Sequence, residues 1–302
     1  MTRPASLPAM RRADWIRLLV LSLLWGGSFF FIAVAVPHLP ALTIVWLRVT
    51  LAAGVLALVL SATGTPFPPR RMWPALLVMG ALNNALPFTA FVLAQGQITG
   101  ALASILNATT PLFTLLVAAA LTREERLTPA RLGGLALGIG GVAVMVGGAA
   151  ASGGVAHALP YLLCLGAALS YAFASVWGRR FHKGGLAPMT TAFGMLAASA
   201  LMLTPLAALI DRPWTLPAPP ALALVAIAAM AVLSTALAYL LYFRLLADAG
   251  SVNVALVTFL VPASAIALGI AILGETVLPR HIAGLALILT GLAVIDGRFN
   301  RR

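Results

Sequence analysis

A polar side chain is combined with aromatic rings at helical spacing in the first half of the chain. Asn84 is followed four and seven positions later by Phe88 and Phe91. Side chains at these spacings share one face of an α-helix. An amide beside aromatic rings can hydrogen-bond the polar group of a small molecule while the rings stack on its apolar part. The pattern predicts ligand contact, although a buried amide can also join one helix to another.

A related pattern occurs 151 positions later. Ser234-Thr235 stands opposite Asn83-Asn84, and Tyr239 and Tyr242 stand opposite the two phenylalanines. Hydroxyl groups replace the amides in this second copy, so the two copies offer the same kinds of contact. We therefore expect Asn83, Asn84, Phe88, Ser234, Thr235 and Tyr239 to bind substrate.

Two prolines in apolar surroundings form another matched pair. Pro111 and Pro262 are also 151 positions apart, and Asn107 and Thr258 each precede one of them by four positions. Proline lacks a backbone donor and therefore frees the carbonyl one turn earlier. Within a bilayer, such groups must face protein or a water-filled cavity. We expect these four residues to line a cavity, with a purely structural kink as the alternative.

Three further residues lie inside apolar segments. Trp25 and Tyr171 are approximate counterparts, and packing is one role open to both. Arg48 is the only basic residue well inside an apolar segment. A charge there is costly and usually marks function or a partner. Arg48 either extends outward to anchor its segment or attracts a substrate carboxylate.

The sequence contains no arrangement typical of catalysis or metal binding. The seven acidic residues and four histidines lie in loops or near segment ends, and Cys164 is the single cysteine. We expect no metal, no cofactor and no enzymatic activity, because those functions need convergent acids, bases or ligands. Because no acidic residue lies in the middle of an apolar segment, we also expect transport without a carboxylate proton relay. A passive channel and a polytopic membrane enzyme are the alternative classes.

The composition indicates which solvent surrounds these residues. The chain has 302 residues, of which 62% are hydrophobic and 9% are charged. Soluble domains are about 25% charged, so the composition predicts an all-α polytopic membrane protein. Segments of the length that crosses a bilayer give ten predicted spans, numbered here one to ten: 15–36, 40–62, 73–94, 98–121, 129–148, 157–177, 186–210, 220–243, 252–273 and 279–295. We expect the first to be a retained helix, because it is long and many spans follow it; a cleaved signal peptide is the alternative.

The basic residues predict the orientation of these spans. If the N-terminus is cytoplasmic, 16 of the 19 lysines and arginines lie in cytoplasmic segments and two lie outside. Cytoplasmic loops carry such an excess, so both termini are predicted to be cytoplasmic. The net charge of +12 therefore reports topology, and the lipid bilayer rather than a nucleic acid is the expected partner.

The matched patterns indicate an internal repeat. We expect residues 1–150 and 151–302 to be five-helix repeats that form one membrane domain. Because five is an odd number, the second repeat enters the membrane from the opposite side. Inverted repeats characterise secondary transporters, in which a central site opens to each side in turn.

The chain resembles the EamA branch of the drug/metabolite transporter superfamily. The resemblance is carried by the ten spans and by short motifs: Trp25-Gly26, Arg48, the set Pro111, Glu124 and Gly133, and the set Pro262, Glu275 and Gly284. Within that branch it is similar to aromatic amino acid exporters of the YddG type. The resemblance implies export of amino acids and related metabolites across a bacterial inner membrane. It also implies that Trp25 and Tyr171 complete the wall of the substrate cavity. Nucleotide-sugar and drug carriers of the superfamily are the alternatives.

Two features are expected to serve structure. Glu124 and Glu275 each precede a helix that opens with proline, where an acid is favoured at the helix N-terminus; a gate charge is the alternative. Span five contains Gly134, Gly138 and Gly141. Small residues on one face allow close helix packing, either within a monomer or at a homodimer interface.

Overall fold

The regular structure of the chain is helical. The computed structural model describes residues 10–122 and 127–295, without the side chains of 147–156 and 251–252, and no strand occurs within these ranges. Glu124 lies outside the described residues. The α-helices are α1 (Arg12–Ala35), α2 (Ala41–Thr63), α3 (Trp73–Gly80), α4 (Leu86–Gln95), α5 (Gly100–Asn107), α6 (Thr110–Leu121), α7 (Pro129–Lys183), α8 (Pro188–Leu206), α9 (Ala221–Ala231), α10 (Ala238–Val254), α11 (Val257–Leu273) and α12 (Pro279–Ile295).

The helical segments have the length and apolarity of membrane spans. Within the described part of the chain, eight are long and apolar enough to cross a bilayer, and two more, Val257–Leu273 and Pro279–Ile295, are shorter. Each shorter helix has 17 residues, which is the lower limit for crossing a hydrocarbon core. The all-α prediction is confirmed for the described residues, and the length and apolarity of the helices agree with a polytopic membrane protein.

Proline and glycine set several helix boundaries. Pro40 precedes α2, and Gly64 ends it with a φ of 65°, a left-handed conformation in which glycine is not strained. Pro129 begins α7, whose first turn is capped by the Thr128 side chain accepting from Arg131 N. Proline suits the first helical turn because the backbone donor it lacks would have no partner there.

Spans three and eight each contain a π-helical segment where the sequence predicts continuous α-helix. Ala81–Ala85 separates α3 from α4, and Val232–Leu237 separates α9 from α10. The two segments begin 151 positions apart. A π-helix has a wider turn than an α-helix, and such segments often occur at functional sites. The side chains that face the same way are therefore five positions apart rather than four.

Spans four and nine are interrupted near their prolines. Span four breaks between α5 and α6, just before Pro111, and the hydroxyl of Thr110 donates to the Asn107 carbonyl at 2.7 Å. The carbonyl freed by Pro111 is thus satisfied locally. In span nine the break between α10 and α11 falls earlier, and Pro262 lies inside α11. The two prolines therefore have different local surroundings.

Helix α7 contains spans five and six, as Pro129–Val146 and His157–Lys183. Span six runs antiparallel to span three. Trp177 donates from Nε1 to the carbonyl of Ala75 at 3.0 Å, and Ser170 donates to the carbonyl of Leu82 at 2.7 Å. The later residues of span six thus contact the earlier residues of span three, as antiparallel helices require.

Span five packs against α12 through glycines. A Cβ added to Gly141 would lie 2.6 Å from the carbonyl oxygen of Gly284, and Gly134 meets Gly291 in the same way. The two backbones approach this closely because neither carries a side chain at the crossing. The prediction of tight packing within the monomer is confirmed for this glycine face.

Candidate functional site

A cavity of about 660 Å³ lies at the centre of the helices. Its volume is in the range of small-molecule sites. It reaches the end of the bundle where α7 finishes, because Phe181 and His182 line it there. Towards the opposite end it stops near Ile32 and Arg48. We call these the open end and the closed end.

Ten of the twelve predicted substrate-binding residues line this cavity, and two do not. The lining residues are Trp25, Asn83, Phe88, Asn107, Tyr171, Ser234, Thr235, Tyr239, Thr258 and Pro262. Asn84 and Pro111 lie outside the lining. Among the described residues, no group of three or more His, Cys, Asp or Glu side chains could hold a metal ion.

The π-helical segment of span three separates the two asparagines. Asn83 lines the cavity and donates to the Tyr239 hydroxyl at 3.1 Å. Asn84 is fully buried behind the wall and donates to Ser199 Oγ at 3.2 Å. The expected face of Asn84 with Phe88 is replaced by one in which Asn83 and Phe88, five positions apart, both line the cavity. The cause is the wider π turn, which sequence spacing alone did not reveal.

Arg48 points into the molecule. It is 6% exposed and lines the cavity near its closed end. Its Nε donates to Thr235 Oγ1 at 3.0 Å, and its Cζ lies 3.6 Å from the centre of the Phe88 ring. Of the two alternatives for Arg48, outward extension is therefore wrong, and attraction of a substrate carboxylate stays untested. Its guanidinium is held by a hydrogen bond and a cation–π contact.

The π-helical segment of span eight supplies the partner of Arg48. The Thr235 hydroxyl accepts from the guanidinium and donates to the Met230 carbonyl at 3.0 Å, five positions earlier. That five-residue spacing is the π-helical repeat. The matched π segments thus orient Asn83 in one half and Thr235 in the other.

Aromatic rings form much of the remaining wall. Trp25 packs on Tyr242 with ring centres 5.5 Å apart, and Phe91 stacks on Tyr171 at 6.3 Å. Trp25 is held there because its neighbour Gly26 lies against α11, where an added Cβ would be 2.7 Å from Ser264 Cβ. These contacts provide an apolar surface suited to a ring or an aliphatic chain.

Some lining residues were missed at the sequence level. Met195 and Thr191 of span seven line the cavity, as do Phe181 and His182 at the open end. The sequence of span seven matches the first half of the chain only weakly, so no matched pattern marked it. The histidine was assigned to a loop, and its exposure to the cavity depends on helix packing.

The closed end is held by acidic side chains at helix ends. Glu275 accepts from the backbone N–H groups of Gly100 and Ala101, both at 2.9 Å. Asp211 accepts from the backbone N–H of Thr43 at 2.7 Å and from its hydroxyl at 2.9 Å. Glu275 was expected to cap the helix that follows it, but it caps α5 instead. The capping role is correct, and the capped helix is set by tertiary packing.

These features define a class of protein. An all-helical membrane protein with interrupted spans around a polar and aromatic cavity has the architecture of a small-molecule transporter. The sequence profile of the EamA-like transporter family matches residues 15–147 and again residues 158–296. The chain belongs to this family, and it is a membrane transporter of the drug/metabolite transporter superfamily.

The chain is also similar to curated proteins and to a solved structure. The uncharacterized inner membrane transporter YedA of Escherichia coli K12 is 28% identical over 280 residues, which cover 92% of this chain and 88% of that protein. YedA of Escherichia coli O157:H7 matches this chain with the same identity and the same coverage. A crystal structure with 20% sequence identity superimposes with a TM-score of 0.68 over 97% of this chain and 100% of its own. That likeness concerns the fold alone.

Proposed function

We propose that the protein exports amino acids, aromatic ones among them, and related small metabolites across the bacterial inner membrane. The observation that carries this proposal is the central cavity, which combines amide and hydroxyl groups with aromatic walls. Those groups suit a molecule with a polar head and an apolar side chain. The inner membrane location is supported by the name of the YedA relatives.

The transport mechanism is alternating access between two inverted repeats, residues 1–150 and 151–302. The family profile matches the chain twice, and the π segments of spans three and eight begin 151 positions apart. Both observations support a repeat. The cavity is open at one end, while Glu275 and Asp211 hold the other. The described arrangement is then one of two alternating states.

The distribution of arginines in the sequence supports cytoplasmic N- and C-termini, so the open end faces the cytoplasm. Each acidic residue that the structure describes is already engaged: Glu275 and Asp211 bind at helix ends, and Asp14 and Asp248 pair with Arg17. Transport is accordingly facilitative and uses no carboxylate relay. The functional unit is a monomer or a homodimer.

A flux assay tests the proposal. Purified protein in liposomes preloaded with labelled L-phenylalanine should release it with saturable kinetics, and unlabelled aromatic amino acids should compete. Flux that rises linearly with concentration would indicate a channel instead. A screen in which no amino acid or related metabolite is carried contradicts the proposal.

An imposed pH gradient provides the second arm of the same assay. Without a proton relay, the initial rate of phenylalanine release should be the same with and without the gradient. Protein-free liposomes measure the passive leak. A rate that scales with the gradient would show proton coupling and overturn the facilitative mechanism.

A further inference from the structure

Arg48 carries a buried charge that has no acidic partner among the residues that the structure describes. Its Nε is bonded to Thr235 and its guanidinium lies against Phe88. Within the described residues, its two terminal nitrogens make no hydrogen bond and no ion pair. A buried cation in a membrane protein normally has a partner. The part of the guanidinium that binds a carboxylate through two parallel hydrogen bonds is therefore available.

A second polar group without a partner lies at the same end of the cavity. Ser234 lines the cavity and is 1% exposed, and its Oγ has no hydrogen-bond partner among the described residues. A buried hydroxyl without a partner costs free energy. It stands next to Thr235, which holds Arg48. The Ser234 oxygen itself has almost no accessible surface, so the observation that indicates a ligand is the unpartnered end of the Arg48 guanidinium, which lines the cavity.

The charges around the cavity limit what that ligand is. No Asp or Glu is among the described residues that line it, whereas Arg48 does. One carboxylate neutralises one guanidinium, and a second negative charge would be desolvated without a partner. The aromatic walls formed by Trp25 and Tyr242 then receive the rest of the molecule.

We propose that the closed end of the cavity is a carboxylate-binding subsite, with Arg48 as the residue that pairs with the acid group. The substrates are monocarboxylates with an aromatic or apolar body, and their recognition depends on the acid more than on an amino group. Thr235 is a positioning residue that fixes the guanidinium through Nε. This inference rests on the proposed transport function and specifies its substrate class.

Binding of matched ligands tests the subsite. Three probes share one aromatic body: L-phenylalanine, 3-phenylpropionate, which lacks the amine, and L-phenylalaninamide, which lacks the acid. Dissociation constants are measured from the ligand dependence of the melting temperature of purified protein in lipid nanodiscs. The two acids should bind at least about 10-fold more tightly than the amide, since hydrogen bonds to charged groups are the strong ones.

Variants assign this preference to Arg48. Arg48→Gln should weaken both acids about 10- to 100-fold and leave the amide nearly unchanged. Arg280→Gln, at an exposed position in the first turn of α12, is the matched control and should bind all three probes as the wild type does. If Arg48→Gln does not fold, Thr235→Val should still weaken the acids about 3- to 10-fold, with a smaller effect on the amide.

Three results would overturn the inference. They are equal binding of acid and amide by the wild type, an acid preference that survives in Arg48→Gln, and no binding of either acid at millimolar concentration. The flux assay separates the two proposals. Amino acid flux without Arg48-dependent acid preference refutes the subsite alone. Arg48-dependent binding of acids without amino acid flux refutes the proposed export alone.

Discussion

Asn83 and Asn84 are adjacent in the chain but have different surroundings. Asn83 faces the cavity and donates to the Tyr239 hydroxyl, while Asn84 is fully buried, donates to Ser199 and accepts from Tyr239 at 3.5 Å. A buried amide that loses its partners leaves other polar groups unsatisfied, which costs about 1–3 kcal/mol. An amide at the cavity surface can be replaced at lower cost, because water can take its place.

Asn83→Ala and Asn84→Ala should therefore affect different properties of the protein. We expect Asn84→Ala to lower the melting temperature of the purified protein more than Asn83→Ala does. Asn83→Ala should instead weaken the apparent affinity for phenylalanine while the melting temperature changes little. Thermal unfolding and the flux assay, applied to both variants, measure the two effects. The opposite ranking would show that the π segment presents Asn84 to the substrate.

At the level of elements, the crossing of α7 and α12 depends on a glycine face. Gly141 lies against the backbone of α12, whereas a Cβ added to Gly140 would meet nothing within 4 Å. The two glycines are neighbours in the same helix, so their backbone propensities are alike. Only Gly141 is needed for the close approach of α7 and α12.

Alanine substitution of Gly141 and of Gly140 distinguishes the effect of helix packing from that of intrinsic helix propensity. Gly141→Ala should destabilise the protein by about 1–3 kcal/mol, because the added methyl group forces the helices apart. Gly140→Ala should be neutral or stabilising, because alanine favours the helix by about 1 kcal/mol over glycine. Melting temperatures in nanodiscs compare the two. Equal destabilisation would mean that Gly140 also lies at a tight contact, such as a homodimer interface.

For the whole molecule, alternating access predicts that the two ends of the cavity change exposure in opposite directions. Leu246 lines the cavity on the side of the open end, and Ile32 lines it near the closed end. The single native cysteine, Cys164, is buried, so it should contribute little background to thiol labelling. The chain is therefore suited to accessibility measurements with introduced cysteines.

Leu246→Cys should react readily with a membrane-impermeant maleimide in the resting protein, and Ile32→Cys should react slowly. Addition of a transported substrate should lower the labelling rate of Leu246→Cys and raise that of Ile32→Cys. The reason is that transport populates the state in which the closed end opens. The unsubstituted protein is the control for Cys164. Rates that rise or fall together would contradict alternating access.

Much of the fold could be predicted from the sequence. Bilayer crossing requires long apolar segments, so composition and segment length predicted the all-helical membrane class. The cavity could be predicted in part: Asn83, Thr235 and Tyr239 were named from residue type and spacing, and all three line it. Segment length and side-chain chemistry are local properties, which a single sequence records directly.

The tertiary structure decided which side chains share a helix face and which groups they contact. The π turns place Asn83 rather than Asn84 in the cavity wall, because they change which side chains share a face. Packing turns Arg48 inward onto Thr235, and it carries Glu275 to the N-terminus of α5. These contacts join residues more than 170 positions apart, as in the pair Arg48 and Thr235, with a separation of 187. Their geometry follows from how the helices cross, and no local pattern encodes it.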